Sequence, residues 1–213
     1  TFDGLSAGVQ DIVQVVYGST MVANLLVEKK GVRVGLITTE GFRDSLEMGT
    51  EQRYDMYDLT AVRAEPLVPR RLRRTISERV NWEGEVLRPL DLAQVDSIVS
   101  AFEAEGVETI AVALMHSYRN PDHERRVRDY IRERYPKYHV SISSEVAPEV
   151  REYPRTSTTV ANAYVEPHLS RHLAEMESGL AALGFRGAVY MMLSEGGVTT
   201  VDVARAFPVR LAQ

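Results

Sequence analysis

The sequence contains no cysteine. Disulfides, thiolate metal centres and cysteine nucleophiles are therefore excluded. The absence fits a reducing, cytoplasmic setting. No uninterrupted run of about 18 apolar residues occurs, so no segment reads as a membrane-spanning helix. Residues 1–10 carry neither a basic stretch nor a long apolar stretch, and no signal peptide is read there. There is no basic excess: 25 Lys and Arg face 30 Asp and Glu, a net charge of −5. Nucleic-acid binding is accordingly not expected. The common chemical signatures are missing as well. There is no G-x-x-x-x-G-K-S/T phosphate loop, no G-x-G-x-x-G, no H-E-x-x-H and no G-x-S-x-G. No internal repeat or low-complexity tract appears.

What remains is an ordinary globular composition, 44% hydrophobic and 26% charged over 213 residues. A chain of this length buries roughly 70% of its unfolded surface, enough for one sizeable core or two small ones. Strand and helix patterns alternate along it. Strands are expected over 11–17, 33–38, 72–80, 107–115, 138–143 and 188–193, with 85–88 returning as a hairpin partner after the turn at 81–84. The 107–115 segment is nearly continuous in apolar residues, the pattern of a central parallel strand covered on both faces.

Helices are expected between these strands. One runs from Gly18-Ser19-Thr20 to about Lys30, with Gly31 at its C-terminal turn. A short one covers 41–48. Asp91 and Gln94 read as a capping box for a helix whose Val95, Ile98, Val99 and Phe102 share one face, and which ends at Gly106. Asn120-Pro121 starts another, with Asp122 and Glu124 in its positive first turn. A long helix is expected over 156–183, kinked or broken near Pro167. Residues 200–207 form a short final helix, and 209–211 begin another strand. Residues 50–69 read as irregular. The alternation specifies an α/β fold with a mixed, mostly parallel sheet and flanking helices.

Candidate chemistry clusters at strand ends, where open α/β sheets place ligands. Gly18-Ser19-Thr20 offers free N–H groups and hydroxyls, as an anion site or as a plain helix cap. Ser194-Glu195-Gly196-Gly197 permits close backbone approach, or makes an ordinary tight turn. Arg155-Thr156-Ser157-Thr158-Thr159 follows a fixed cation with four hydroxyls, more than capping needs. His116 reads as an acid/base group or as a satisfied buried histidine. His168 and His172, four apart on a helix, read as polar-face residues or as half of a metal site; two ligands are too few on their own.

Gly18 to Gly31 resembles the G-T-T-x-x-T-N-x-L-x-E-R/K-x-G segment of the hydantoinase A/5-oxoprolinase family, and Thr38 to Asp44 its T-T-x-G-F-x-D segment. The likeness continues through Pro66 to Pro69, Glu78-Arg79, Leu114 to Pro121, Glu124 to Val127, Ser143 to Val146, Arg155 to Thr159 and Ser194 to Gly197. The resemblance implies an actin-like ATPase architecture and an ATP- and Mg2+-dependent activation of an amide or carbonyl substrate. It implies ring opening of a cyclic amide, with carboxylation of a ketone or a non-catalytic role as alternatives. A B-type hydantoinase subunit or domain is the implied partner. Residues 1–70 and 150–213 would belong to a nucleotide-binding lobe and 71–149 to an α/β subdomain.

Arg155, Thr158 and His116 would be catalytic, and Gly18, Ser19, Thr20, Ser194, Gly196 and Gly197 would bind the cofactor. The family's two phosphate loops, Asp-x-Gly-Gly-Thr-x-Thr-Asp and Ser-Gly-Pro-x-x-Gly, are expected outside these residues. The chain alone is therefore expected to hold no ATP tightly and to be inactive. Tyr17, Glu195 and Thr50-Glu51 depart from residues frequent in hydantoinase-like members.

Overall fold

Runs of β-branched residues bounded by glycine and charge pack as strands wherever both faces can be covered, and the amphipathic segments between them supply the cover. The computed structural model describes residues 8–50 and 64–212. Of the stretch expected to be irregular, residues 51–63 lie outside the described residues; 64–69 contain no helix or strand. The elements in chain order are β1 (Gln14–Tyr17), α1 (Met21–Val27), β2 (Val34–Thr39), α2 (Ser45–Met48), β3 (Arg73–Ile76), β4 (Arg79–Val80), β5 (Val86–Arg88) and α3 (Ala93–Ala104). They continue with β6 (Thr109–Ala113), α4 (Asp122–Arg134), β7 (His139–Ile142), α5 (Ser143–Val146), α6 (Glu152–Ala182), β8 (Ala188–Met192), β9 (Val198–Thr200) and α7 (Val201–Ala206).

The chain divides into two compact units. One comprises residues 1–31 and 165–213, the other residues 32–164. In the second unit, β3, β2, β6 and β7 lie in that order and are all parallel. The apolar strand β6 is buried along its whole length between β2 and β7, as its composition requires. Helix α3 turns Val95, Ile98, Val99 and Phe102 into the core. Val127 and Ile131 do the same for α4. Strands β4 and β5 form a separate antiparallel hairpin. In the first unit, β1 pairs with β8 in parallel and β8 with β9 antiparallel. The whole is an α/β fold with a mixed, mostly parallel strand set.

Several boundaries differ from the sequence expectation. The 72–80 strand is broken at Ser77-Glu78, because β3 pairs with β2 whereas β4 pairs with β5. Gln94 closes no capping box: its carbonyl accepts from the Ser77 N–H at 3.0 Å and its amide donates to Asp91 at 2.9 Å. Helix α1 stops at Val27, and Lys29 rather than Gly31 takes the left-handed conformation, with φ 52°. Helix α6 begins at Glu152, earlier than expected, and runs through Pro167 without a break. Residues 198–200 add the strand β9, and 208–211 form a 3-10 turn instead of a strand.

At Gly35 in β2 the Phe102 ring of α3 packs directly on the sheet. A Cβ built there would lie 2.8 Å from two carbons of the Phe102 ring. Phe102 is completely buried and cannot swing into solvent. Gly35→Ala is therefore expected to destabilise by about 1–3 kcal/mol through overpacking. Urea denaturation checks this as a lowered midpoint at unchanged slope. Adding Phe102→Leu to that variant is expected to recover part of the loss.

Candidate functional site

The two units each present the C-terminal ends of parallel strands, and the residues beyond those ends define each site. In the first unit, Tyr17 of β1 is in register with Met191 of β8. Gly18 and Leu193 therefore leave the same end of neighbouring strands, and the space beside Gly18 is bounded by the Met192 side chain at 3.8 Å. Ser19 accepts from the Met21 N–H at 3.2 Å, and Thr20 accepts from the Asn24 amide at 3.4 Å. The Ser194–Gly197 segment is the turn joining β8 to β9. It is closed by Gly196 N–H to Leu193 C=O and Leu193 N–H to Gly197 C=O, both at 3.1 Å. Gly196 and Gly197 have φ of 93° and 86°, which favours glycine, and no atom lies within 4 Å of a side chain placed there. His172 Nε2 lies 3.0 Å from the Tyr17 hydroxyl. Among the described residues no group of three His, Asp or Glu is placed to hold a metal.

In the second unit, four parallel strands bring Thr39 to Phe42, Ser77 to Arg79, Leu114 to Tyr118 and Ser143-Ser144 to one edge of the sheet. A chain of polar contacts ties them together. Met115 N–H donates to the Thr39 hydroxyl at 2.9 Å, Thr39 donates to Glu78, and the other Glu78 oxygen meets His123 Nδ1 at 2.8 Å. Next to His123, Glu124 is fully buried and accepts three donors: Leu114 N–H at 2.8 Å, the Ser143 hydroxyl at 2.6 Å and Ser144 N–H at 2.8 Å. Burial pushes the Glu124 carboxyl up from the ordinary range, and these donors oppose the shift.

His116 and Arg155 meet around Tyr118. His116 sits in the left-handed region at φ 53°, with Nδ1 at 3.3 Å from the Tyr118 hydroxyl. Arg155 lies 5.5 Å from the centre of the same tyrosine ring. It is 1% exposed and donates to Leu114 C=O and Glu149 C=O, each at 3.0 Å, while its Nε has no partner. Burial lowers its pKa, with Glu124 and Glu152 opposing. A guanidinium remains charged at neutral pH all the same. Arg155 to Thr159 lie in the first turns of α6, which begins at Glu152 and so includes Arg155, and the Thr159 hydroxyl donates back to Arg155 C=O at 2.7 Å. Thr158 is half-buried in the same turns.

The sequence thus pointed to His116 and Arg155 but missed Glu78, Arg79, Tyr118, His123 and Glu124 as members of one edge. Glu124 had been read as a first-turn acid stabilising the helix dipole. Its burial shows that it reaches inward to two strand ends. The usable signal was the pair His123-Glu124 at the start of an otherwise strongly charged helix.

The sequence pattern of the hydantoinase/oxoprolinase N-terminal region matches residues 3–135, and that of hydantoinase/oxoprolinase matches residues 155–213. The chain belongs to the hydantoinase/oxoprolinase family. Within that family, the caprolactamase subunit alpha of Pseudomonas jessenii is 38% identical over 190 residues, which is 88% of this chain and 27% of the relative. The crystal structure of the ATP-dependent caprolactamase from the same organism superposes with a TM-score of 0.87 at 34% identity, over 98% of this chain and 32% of that one. The nucleotide-free structure of acetone carboxylase superposes at 0.80 with 28% identity, over 92% and 29%. This hydantoinase/oxoprolinase chain therefore spans about a third of the length of these relatives or less. None of its described helices is long and apolar enough to cross a membrane.

The surroundings of His116 set its titration. Burial and the nearby Arg79 and Arg155 lower its pKa below 6.5, against Glu152 and Glu78. A depressed folded-state pKa stabilises the fold above the ordinary imidazole range, and that stability is lost as pH falls through the folded pKa. The His116 ring resonances are expected to titrate below the normal histidine midpoint. Arg79→Gln is expected to move that midpoint upward, as followed by carbon-13 NMR across pH 4 to 8.

Proposed function

We propose that this region acts in a longer, ATP-dependent hydrolase that opens a cyclic amide of the hydantoin, 5-oxoproline or lactam kind. The observation that carries this reading is the superposition of nearly the whole chain on an ATP-dependent caprolactamase; caprolactam is itself a cyclic amide. The phosphates of ATP would lie against the end of the β1–β8 pair. Gly18, Gly196 and Gly197 leave room for oxyanions there, and Ser19, Thr20 and Ser194 supply hydroxyl donors. That fit rests on the open space beside Gly196 and Gly197. When bound, ATP supplies a phosphoryl group that activates the carbonyl oxygen of the substrate, with Mg2+ as counter-ion to the triphosphate.

The chain's own residues have simple tasks in this reading. The buried charge of Arg155 favours negative charge developing nearby, in surroundings that screen it weakly. His116, neutral at pH 7, is suited to accept a proton. Thr158 donates a hydrogen bond. In this scheme the unit of residues 1–31 and 165–213, which carries the glycine loops, belongs to the nucleotide-binding lobe. A B-type hydantoinase subunit or domain completes the enzyme, in keeping with a relative that is itself a subunit alpha. A second reading, ATP-dependent carboxylation of a ketone, is supported by the likeness to acetone carboxylase; Tyr17, Glu195 and Thr50-Glu51 depart from residues frequent in hydantoinase-like members.

The full-length protein, purified with its partner subunit, separates the two. ADP release that requires a lactam, hydantoin or 5-oxoproline supports hydrolysis, whereas release that requires a ketone together with bicarbonate supports carboxylation. Arg155→Ala is expected to lower turnover on the order of a hundredfold or more if its charge acts on the transition state. Near-wild-type turnover would assign Arg155 to holding Leu114 and Glu149 alone.

A further inference from the structure

At the edge formed by β2, β3, β6 and β7, the acids are occupied and some of the strongest donors are not. Both Glu78 oxygens are engaged, by Thr39 and His123. Glu124 takes three donors. Arg79, directly after Glu78, is half-buried, and its guanidinium lies 4.8 Å from the centre of the Phe42 ring. Among the described residues it has neither an ion pair nor a hydrogen bond. Arg155 is held the same way, against Tyr118, with both its terminal nitrogens on backbone carbonyls and its Nε unpartnered. His116, on which both arginine charges act, uses Nδ1 toward Tyr118, and its Nε2 has no protein partner among the described residues. Arg79 against an aromatic ring, and Arg155 on two backbone carbonyls beside another, are held without carboxylates, so both keep their charge. Other charges act on this edge too: Glu152 and Glu78 on His116, and Glu124, Glu149 and Glu152 on Arg155. None of these acids forms an ion pair with Arg79 or Arg155 among the described residues.

A second observation is independent of the charges. Of the segments through which the sequence resembles its family, Thr38 to Asp44, Glu78-Arg79, Leu114 to Pro121, Ser143-Ser144 and Arg155 are scattered over more than half of the chain. They meet at this one edge.

We propose that the C-terminal edge of the β3–β2–β6–β7 sheet is a binding site for a small oxyanion, a phosphate or carboxylate group, held by Arg79 and His116 with the buried Arg155 charge across the Tyr118 ring. The site is distinct from the glycine loops of the first unit and needs neither ATP nor a decision between hydrolysis and carboxylation. A guanidinium fork and an imidazole N–H match oxyanion lone pairs, and fixed donors avoid the cost of reorganisation.

The test uses the 213-residue chain at constant ionic strength, because exposed charges are screened by salt. Its histidine ring and backbone resonances are followed during titration with inorganic phosphate and, separately, with acetate. The expected result is a saturable shift of the His116 ring with a dissociation constant of about 10 mM or tighter for at least one of the two anions. Which anion binds more tightly tells phosphate from carboxylate. Arg79→Gln is expected to weaken binding by about tenfold or more, while Arg125→Gln on the exposed face of α4 leaves it unchanged. Phe42→Leu removes the ring beside Arg79 while keeping its charge, and is expected to weaken binding to a lesser extent. It serves as the second variant if Arg79→Gln does not fold. Shifts confined to residues 18–20 and 193–197, no saturable shift at His116, or wild-type affinity in the folded variants would overturn the proposal. Failure of the activation reaction proposed above would leave this binding intact, so the two readings fail separately.

Discussion

The Glu124 carboxylate is removed from water altogether, and the arrangement of the second unit depends on how it is satisfied. An unpaired buried carboxylate costs several kcal/mol, and the same group surrounded by donors becomes a strong clamp. Glu124 takes one N–H from the end of β6 and one N–H and one hydroxyl from the start of α5, so a single side chain fixes two strand exits. Its neighbour His123 reaches the other way, through Glu78 and Thr39, to the exits of β3 and β2. Two adjacent residues in the first turn of α4 thus register all four strands at one edge. Leu114 is the junction: its N–H goes to Glu124 and its C=O receives Arg155, so both side chains are anchored on the same residue.

Much of the fold was legible because it depends on periodicity. Val95, Ile98, Val99 and Phe102 declared their helix, and the unbroken apolar run around Ile110 declared a central strand. What was not legible depends on partners. Nothing in the alternation of residues 72–80 marks where a strand leaves one sheet for another, since the same side-chain pattern serves both. The turn at Ser194–Gly197 was visible, but not the short strand after it, because three residues carry too little period to register. The sequence places the start of α6 at Thr156, a hydroxyl residue suited to capping, whereas the helix begins at Glu152. Such residues favour caps and loops, yet here Thr159 bonds within the helix.

The candidate site was legible only in part, for a related reason. His116 and Arg155 stood out as chemically capable residues beside strand ends. The residues that hold them did not, because Thr39 meets Met115 across 76 positions and Glu78 meets His123 across 45. A buried polar network of that reach leaves no local pattern. Only the family likeness, by marking the same segments, shows that they form a set.

The discontinuous first unit has a consequence for how the protein is made. Residues 32–164 are contiguous, so the second unit can close as soon as its own chain is complete. Strand β1 has no such option, for each of its residues pairs with one of β8 that lies 174 positions further on. At ordinary rates of synthesis β1 waits on the order of ten seconds or more before that partner emerges. During that interval Val13 and Val16, still 81% and 42% exposed in the finished fold, stand on an unpaired edge open to other chains. The nascent chain is then most vulnerable around β1, and chaperone protection would matter most there, before the strand that will pair with it has been translated.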